Sequence, residues 1–193
     1  MAKLTAYGLL LSVLRKGYSH YATGLRALLL FLLLHSGSNL MAQKETGYVV
    51  QANIIYRFTK YIDWPAASKQ GDFNIAVVGD SPMYDELKKS IAGKMVGTQK
   101  ITIKKVSCSE PVFDCQILFL SNSACKNIKK IVANTANEPV LLVSEQEGMA
   151  QKGACINFVI ASDRLKLEIN QSNIEQRELS IASELLQLGK IVR

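Results

Sequence analysis

FNIAVVGDSPMYDELKKSIAG, residues 73–93, reads as a strand passing directly into a helix. Phe73 to Gly79 is a compact apolar run of the kind buried on both faces of a sheet. Asp80 or Ser81 can cap the helix, Pro82 suits its first turn, and Gly93 closes it. A strand-to-helix unit of this type predicts an α/β fold if the pattern recurs, and it does. Lys100 to Val106 (KITIKKV) alternates like a strand with one wet face. Gln116 to Ser121 (QILFLS) and Pro139 to Ser144 (PVLLVS) are buried-type strands, and Ala124 to Asn134 between them fits a helix.

Upstream, Val50, Ile54, Phe58 and Tyr61/Ile62 recur at helical spacing, with Ile55 beside them, so a helix is expected over Gly47–Ile62. Trp64-Pro65 ends it, because a residue before proline avoids the helical region. Downstream the style changes. Cys155 to Ile160 and Leu165 to Ile169 read as strands of a hairpin across ASDR. Ile181, Leu185, Leu188 and Val192 then predict an amphipathic C-terminal helix. The expected architecture is α/β: a single domain with a mostly parallel central sheet flanked by helices, then a C-terminal β-hairpin and helix.

Residues 1–42 stand apart. They carry Lys3, Arg15, Lys16 and Arg26 but no acidic residue, and Ala27 to Leu34 (ALLLFLLL) is an unbroken apolar run of eight. Basic region, short apolar core and small polar residues up to Ala42 form the layout of an export signal. The apolar run is too short to span a bilayer, which takes roughly 20 residues. Residues 1–42 are therefore read as a signal peptide cleaved near Ala42, and 43–193 as one exported domain with no stable membrane insertion. Without the leader's four basic residues the formal charge falls from +7 to +3. No basic stripe with interleaved aromatics remains, which argues against nucleic-acid binding.

Both histidines, His20 and His35, lie in that leader. The exported part thus offers no Ser-His or Cys-His pair and no imidazole base near neutral pH, so a non-enzyme is expected. No motif calls for a cofactor. Cys108, Cys115, Cys125 and Cys155 have no two-residue knuckle spacing for a tetrahedral metal. In an oxidising compartment an even number of cysteines reads as disulfides, with free buried thiols as the alternative. Of three possible schemes, Cys108–Cys115 with Cys125–Cys155 is favoured, although two parallel strands would hold Cys108 and Cys115 apart.

Other motifs have plainer readings beside functional ones. Gly79, Asp80 and Ser81 form a strand-to-helix turn that can attract an anion at the helix N-terminus, but one glycine and no Lys-Ser/Thr pair leave the nucleotide fingerprints incomplete. Asp63 and Glu168 have no fixed separation and read as solvated or capping groups. Tyr56, Phe58, Lys60, Tyr61 and Trp64 form a core face or a partner-binding surface, with Trp64 expected to stay partly exposed.

Tyr56 to Pro65 (YRFTKYIDWP) resembles the Y-N-F-A-K-[FY]-[VI]-[ED]-W-P signature of the YfiR/HmsC-like family of periplasmic proteins. Arg57 and Thr59 stand where Asn and Ala are usual. The resemblance continues in order through FNIAVVGDSP, Gly93-Lys94 with Gly97, DCQILFLS, GACINFV, LEIN and IASELLQLGKIV, with Lys152-Gly153 replacing a common Gly-Gly pair. It implies a homodimeric periplasmic regulator that represses a membrane-bound diguanylate cyclase, or feeds a sensor kinase, by binding its periplasmic region. Redox state or envelope stress would relieve that repression, with effects on cyclic-di-GMP and biofilm formation. The rival expectation is a periplasmic module for a small anionic ligand at Gly79–Ser81.

Overall fold

Helix α1 spans Ser38–Tyr61, starting earlier than the apolar spacing predicts. It belongs to a computed structural model that describes residues 38–193 apart from 163, with side chains from Gly47 onward. Residues 1–37, and so most of the expected export signal, lie outside the described residues. Glu45–Arg193 form one compact unit. No helix among the described residues is long and apolar enough to cross a membrane.

The sheet is built from the runs that the sequence marks as buried. Strands β2 (Phe73–Val78), β5 (Ile117–Leu120) and β6 (Leu141–Ser144) are buried at every position. Such strands need cover on both faces, which a parallel sheet with crossover helices supplies. Strand β4 (Gln99–Val106) lies parallel to β2, and β2, β5, β6 and β7 (Ile156–Ala161) are successive parallel neighbours. Strand β8 (Arg164–Ile169) returns antiparallel to β7, so the expected hairpin is present. With β3 (Met95–Val96) and β10 (Gly189–Ile191) at the edges, the full order is β10-β8-β7-β6-β5-β2-β4-β3.

The crossovers agree closely with the sequence reading. Helix α2 (Met83–Ser90) links β2 to β4, burying Met83 and Leu87. Strand β3 (Met95–Val96) enters β4 by a tight hairpin at Gly97-Thr98, where only Gly97 has positive φ (57°). That is the geometry of a turn with glycine at its first central position. Helix α3 (Ile128–Asn134) links β5 to β6 and is preceded by a 3-10 turn, Ala124–Asn127.

Strand β7 alternates its faces. Phe158 stacks on Phe58 of α1, with ring centroids 6.2 Å apart. Cys155 points the other way, its Sγ 3.6 Å from the Asn173 carbonyl on helix α4 (Gln171–Glu175). Helix α1 therefore covers one face and α4 the other.

Trp64 is only 5% exposed, contrary to the expectation from its place at the helix exit. Its ring meets Phe73 edge-on at 5.0 Å, and its Nε1 donates to the Gln116 carbonyl at 3.3 Å. The indole ties the end of α1 to the starts of β2 and β5. Next to it, the two-residue strands β1 (Ile62–Asp63) and β9 (Ser180–Ile181) pair antiparallel in a separate ribbon.

The C-terminal helix is shorter than its apolar spacing suggests. Helix α5 covers only Ser183–Leu188, and Gly189–Ile191 form β10, parallel to β8 at the sheet edge. Gly189 explains the break. It is extended (φ −123°, ψ 164°), and a Cβ there would lie 2.6 Å from Ile169 Cδ1. Glycine lets the backbone approach β8 closely enough to pair.

Candidate functional site

The chain leaves β2 for β4 on one side and returns to β5 on the other, so the strand order reverses between β2 and β5. In open α/β sheets the crevice at the carboxyl ends of such strands is a common ligand site. Gly79, Asp80 and Ser81 lie there, as the sequence suggests. Part of the turn's hydrogen bonding is already used within the chain. Asp80 N–H donates to Ser123 Oγ at 3.1 Å, and Met83 N–H donates to Ser81 Oγ at 3.2 Å. A Cβ on Gly79 would fall 2.2 Å from Ser121 Oγ and 2.6 Å from Ser123 Oγ, so the chain's own serines fill the glycine's hollow.

Charge adds to this. Asp85 and Glu86 occupy the first turn of α2, and Lys105 is held by Asp80 at 3.3 Å. Glu145 accepts from Asn122 N–H at 3.0 Å. Tyr48 has its pKa raised, first by burial and then by the Glu145 charge. The hollow at Gly79 is filled by the chain's own hydroxyls, and the cavity of about 320 Å³ beside it is lined by Asp80 and Asp85 as well as Lys105, which makes it a poor host for an anion.

At the opposite end of the sheet a cleft of about 430 Å³ lies among Ser68, Asn74, Asp114, Cys115 and Glu138. Cys115 is buried, and its pKa is pushed up to about 12, by burial first and then by the Asp114 charge. This thiol is protonated and unreactive at neutral pH. The shift sets a direction for stability. In the unfolded chain the thiol ionises near 9.0, whereas the folded one keeps its proton to about 12. The native state binds more protons in that window, so its stability is intact below pH 9 and falls as pH rises toward 12. Cys125 and Cys155 are shifted the same way, chiefly by burial. Cys115→Ala is expected to flatten the decline by up to about 1.4 kcal/mol per pH unit, read by urea unfolding between pH 8 and 11. An unchanged slope would contradict this assignment.

All four cysteines are free thiols, so neither expected pairing is present. Topology works against the first. Val106 at the end of β4 is level with Val78, while Gln116 N–H, next to Cys115, bonds the Asn74 carbonyl. The end of β4 and the start of β5 are therefore about 13 Å apart along the strands at 3.3 Å per residue, with Cys108 beyond the first point and Cys115 before the second. A disulfide needs its Cα atoms within about 7 Å. The second pair has separate partners: Cys125 Sγ lies 3.4 Å from Ser144 Oγ, and Cys155 Sγ points to Asn173. Among the described residues no cluster of His, Cys, Asp or Glu could hold a metal. Asp63 and Glu168 sit in different sheets, Asp63 with Lys69 at 2.7 Å and Glu168 with Lys190 at 3.9 Å.

The aromatic set on α1 divides. Phe58 and Trp64 are core residues. Tyr56 carries Lys94 over its ring at 4.8 Å and Lys60 at 5.9 Å. Only Tyr61 and the edge of Phe58 line an open apolar surface. The face of α1 buried on the sheet is Tyr48, Ala52, Ile55, Phe58 and Ile62. Of the stripe Val50–Ile54–Phe58–Tyr61 that marked the helix in the sequence, Phe58 alone is sealed in the core, and Val50 is 44% exposed.

That second stripe forms one wall of a groove of about 390 Å³, closed by Leu165 and Leu167 of β8 and by Leu185 and Leu188 of α5. Leu188 is 68% exposed. Arg57 and Lys166 stand at its rim, and neither joins an ion pair among the described residues. Sequence reasoning missed Leu165, Leu188 and Lys166 because they are far from α1 along the chain. The available signal was that α1 has more apolar positions than one buried face can use.

Direct comparison with curated proteins gives no match. A family profile described as YfiR/HmsC-like matches residues 48–190, which include α1 from Tyr48, strands β1 to β9 and α5. The chain belongs to the YfiR/HmsC-like family.

Proposed function

We propose that this protein is an exported, non-catalytic regulator that binds the periplasmic region of an inner-membrane signalling protein, a diguanylate cyclase or a sensor kinase, and holds it inactive. The observation that carries this reading is the second apolar stripe of α1. A soluble domain gains nothing in stability from presenting Val50 and Leu188 to water, and a concave apolar surface with a charged rim is the usual form of a protein-binding site. Arg57 and Lys166 favour a partner segment that brings carboxylates beside its apolar residues. Restraint then needs only that one state of the partner fits the groove better than the other. Family membership supports the same reading, together with export, homodimerisation and a response to redox state or envelope stress.

The test is a cellular one. Cyclic-di-GMP is measured in a host carrying a membrane diguanylate cyclase with a periplasmic region, expressing this chain with and without residues 1–42. Export should lower cyclic-di-GMP, whereas the leaderless chain should leave it unchanged. Equal levels in both cases, with the full chain recovered from the periplasm, would sink the cyclase reading. The small-anion alternative is disfavoured by the self-filled turn at Gly79–Ser81.

A further inference from the structure

We propose that the surface formed by Arg57, Lys60, Lys94 and Lys100, with Met95 among them, docks this domain on an anionic phospholipid bilayer. In the sequence these residues belong to separate segments and make no basic run. The fold gathers them where α1, the turn after α2 and the β3–β4 hairpin meet, at the β3 edge of the sheet. Arg57 and Lys60 lie one turn apart on α1, both exposed. Lys94 reaches the same helix from the turn after α2. Its Nζ is 4.8 Å from the centre of the Tyr56 ring, and Lys60 Nζ is 5.9 Å from it. Lys100 on β4 is the direct cross-strand partner of Met95 on β3, and a Cβ on Gly93 would lie 3.9 Å from its Cε.

Two observations single this surface out. Lys69, Lys104, Lys105 and Lys190 each hold a carboxylate, whereas none of these four cations joins an ion pair among the described residues. Lys60 and Lys94 are drawn instead to one aromatic ring, which sets two like charges together. Like charges repel, so the arrangement weakens the compact state unless something anionic meets it. The second observation is Met95. It is 51% exposed on the edge hairpin, with Lys94 before it in the chain and Lys100 across from it. An unbranched apolar side chain collared by lysines matches a bilayer boundary. There the thioether enters the headgroup layer while the ammonium groups stay at the phosphates.

Shape decides the class of partner. Lys60, Lys94, Met95 and Lys100 line none of the three cavities described above, so no pocket there fixes a single phosphate. Lysine is a flexible point charge without the planar fork that selects one carboxylate or phosphate. Dispersed lysines around an exposed methionine suit many mobile headgroups at once. Each such cation near an anionic bilayer strengthens attachment about fivefold. Arg57 also stands on the rim of the α1–β8–α5 groove, so a domain resting on these lysines holds that groove beside the membrane. Attachment of this kind does not depend on what occupies the groove.

The test uses residues 43–193, which contain every strand and core residue described and leave out the apolar run 27–34, itself able to bind lipid. Binding is read by co-sedimentation with vesicles of phosphatidylcholine alone, or of phosphatidylcholine and phosphatidylglycerol in equal parts. The domain is expected on the mixed vesicles only. It should leave them in about 1 M salt, where screening cuts the reach of charge to about 3 Å. Lys60→Ala with Lys94→Ala should lower the partition constant about twenty-five-fold, at about fivefold for each cation. Lys129→Ala with Lys130→Ala removes the same charge from exposed positions on α3 and should change it less than about twofold. Met95→Ser should weaken binding several-fold and leave its salt dependence unchanged. All five positions are exposed, so urea midpoints should match the parent. Equal loss in the two double variants would reduce the effect to net charge and overturn the proposal. So would equal binding to neutral vesicles, or no binding to the mixed ones at low salt. Release by inorganic phosphate, at an ionic strength where chloride fails to release the domain, would assign the surface to a free anion and overturn it too.

Discussion

Phe58→Ala is expected to lower the unfolding free energy by about 3–5 kcal/mol, at least a hundredfold in the folded-to-unfolded ratio. Phe58 is fully buried and stacks on Phe158 of β7 with 21° between the rings. It is the point where α1 grips the antiparallel end of the sheet, and no other large α1 residue has an aromatic partner there among the described pairs. Truncation removes the ring's burial and leaves a cavity that the paired strands cannot close. One circumstance moderates the loss. The edge of Phe58 lines the α1–β8–α5 groove, so solvent can enter part of the space, which favours the lower end of the range. Val50→Ala on the same helix is the control, expected within about 0.5 kcal/mol because Val50 is largely exposed. Urea unfolding of both variants decides the matter. A loss below about 1 kcal/mol at Phe58 would mean that α1 is not held through this contact.

How far the sequence foretold these contacts depends on the length scale. The parallel strands were legible because FNIAVV, ILFL and LLVS are apolar at nearly every position, as doubly covered strands must be. Gly93 and the proline of DSP marked the limits of α2 by local backbone preference alone. Strands β1, β3, β9 and β10 were invisible because two or three residues carry no period. At the C-terminus the local signal misled. Ile181, Leu185, Leu188 and Val192 have helical spacing, yet Val192 N–H bonds the Ile169 carbonyl and completes the edge of the sheet. There, strand pairing outweighs local propensity.

The candidate site was less legible for a related reason. On α1, period alone cannot tell a core stripe from a docking stripe when both are apolar. Ile55 and Ile54 are adjacent in sequence, but one is sealed against the sheet and the other faces the groove. The cysteines pose a similar problem. Proximity in sequence favoured Cys108 with Cys115, while the parallel connection carries the chain from one end of the sheet to the other.

Leu188→Glu should weaken partner binding about thirtyfold or more while leaving the fold intact, and Val50→Glu should do the same from the opposite wall. Truncating or charging a central apolar contact of an interface typically costs about 2 kcal/mol or more. A carboxylate placed in this groove must either be desolvated or hold the partner away. Both residues are substantially exposed, so neither change opens a core cavity, and stability should move by no more than about 0.5 kcal/mol. Arg57→Glu acts differently. It reverses a rim charge that has no internal partner among the described residues, so it should slow association and weaken its salt dependence, with little effect on dissociation. Tyr56→Ser is the discriminating control. Tyr56 belongs to the family signature, but its ring faces Lys94 rather than the groove. If the signature aromatics are themselves the recognition surface, Tyr56→Ser will impair binding and Leu188→Glu will not. If the groove is the surface, the order reverses, and binding kinetics of the four variants to the partner's periplasmic region separate the two directly.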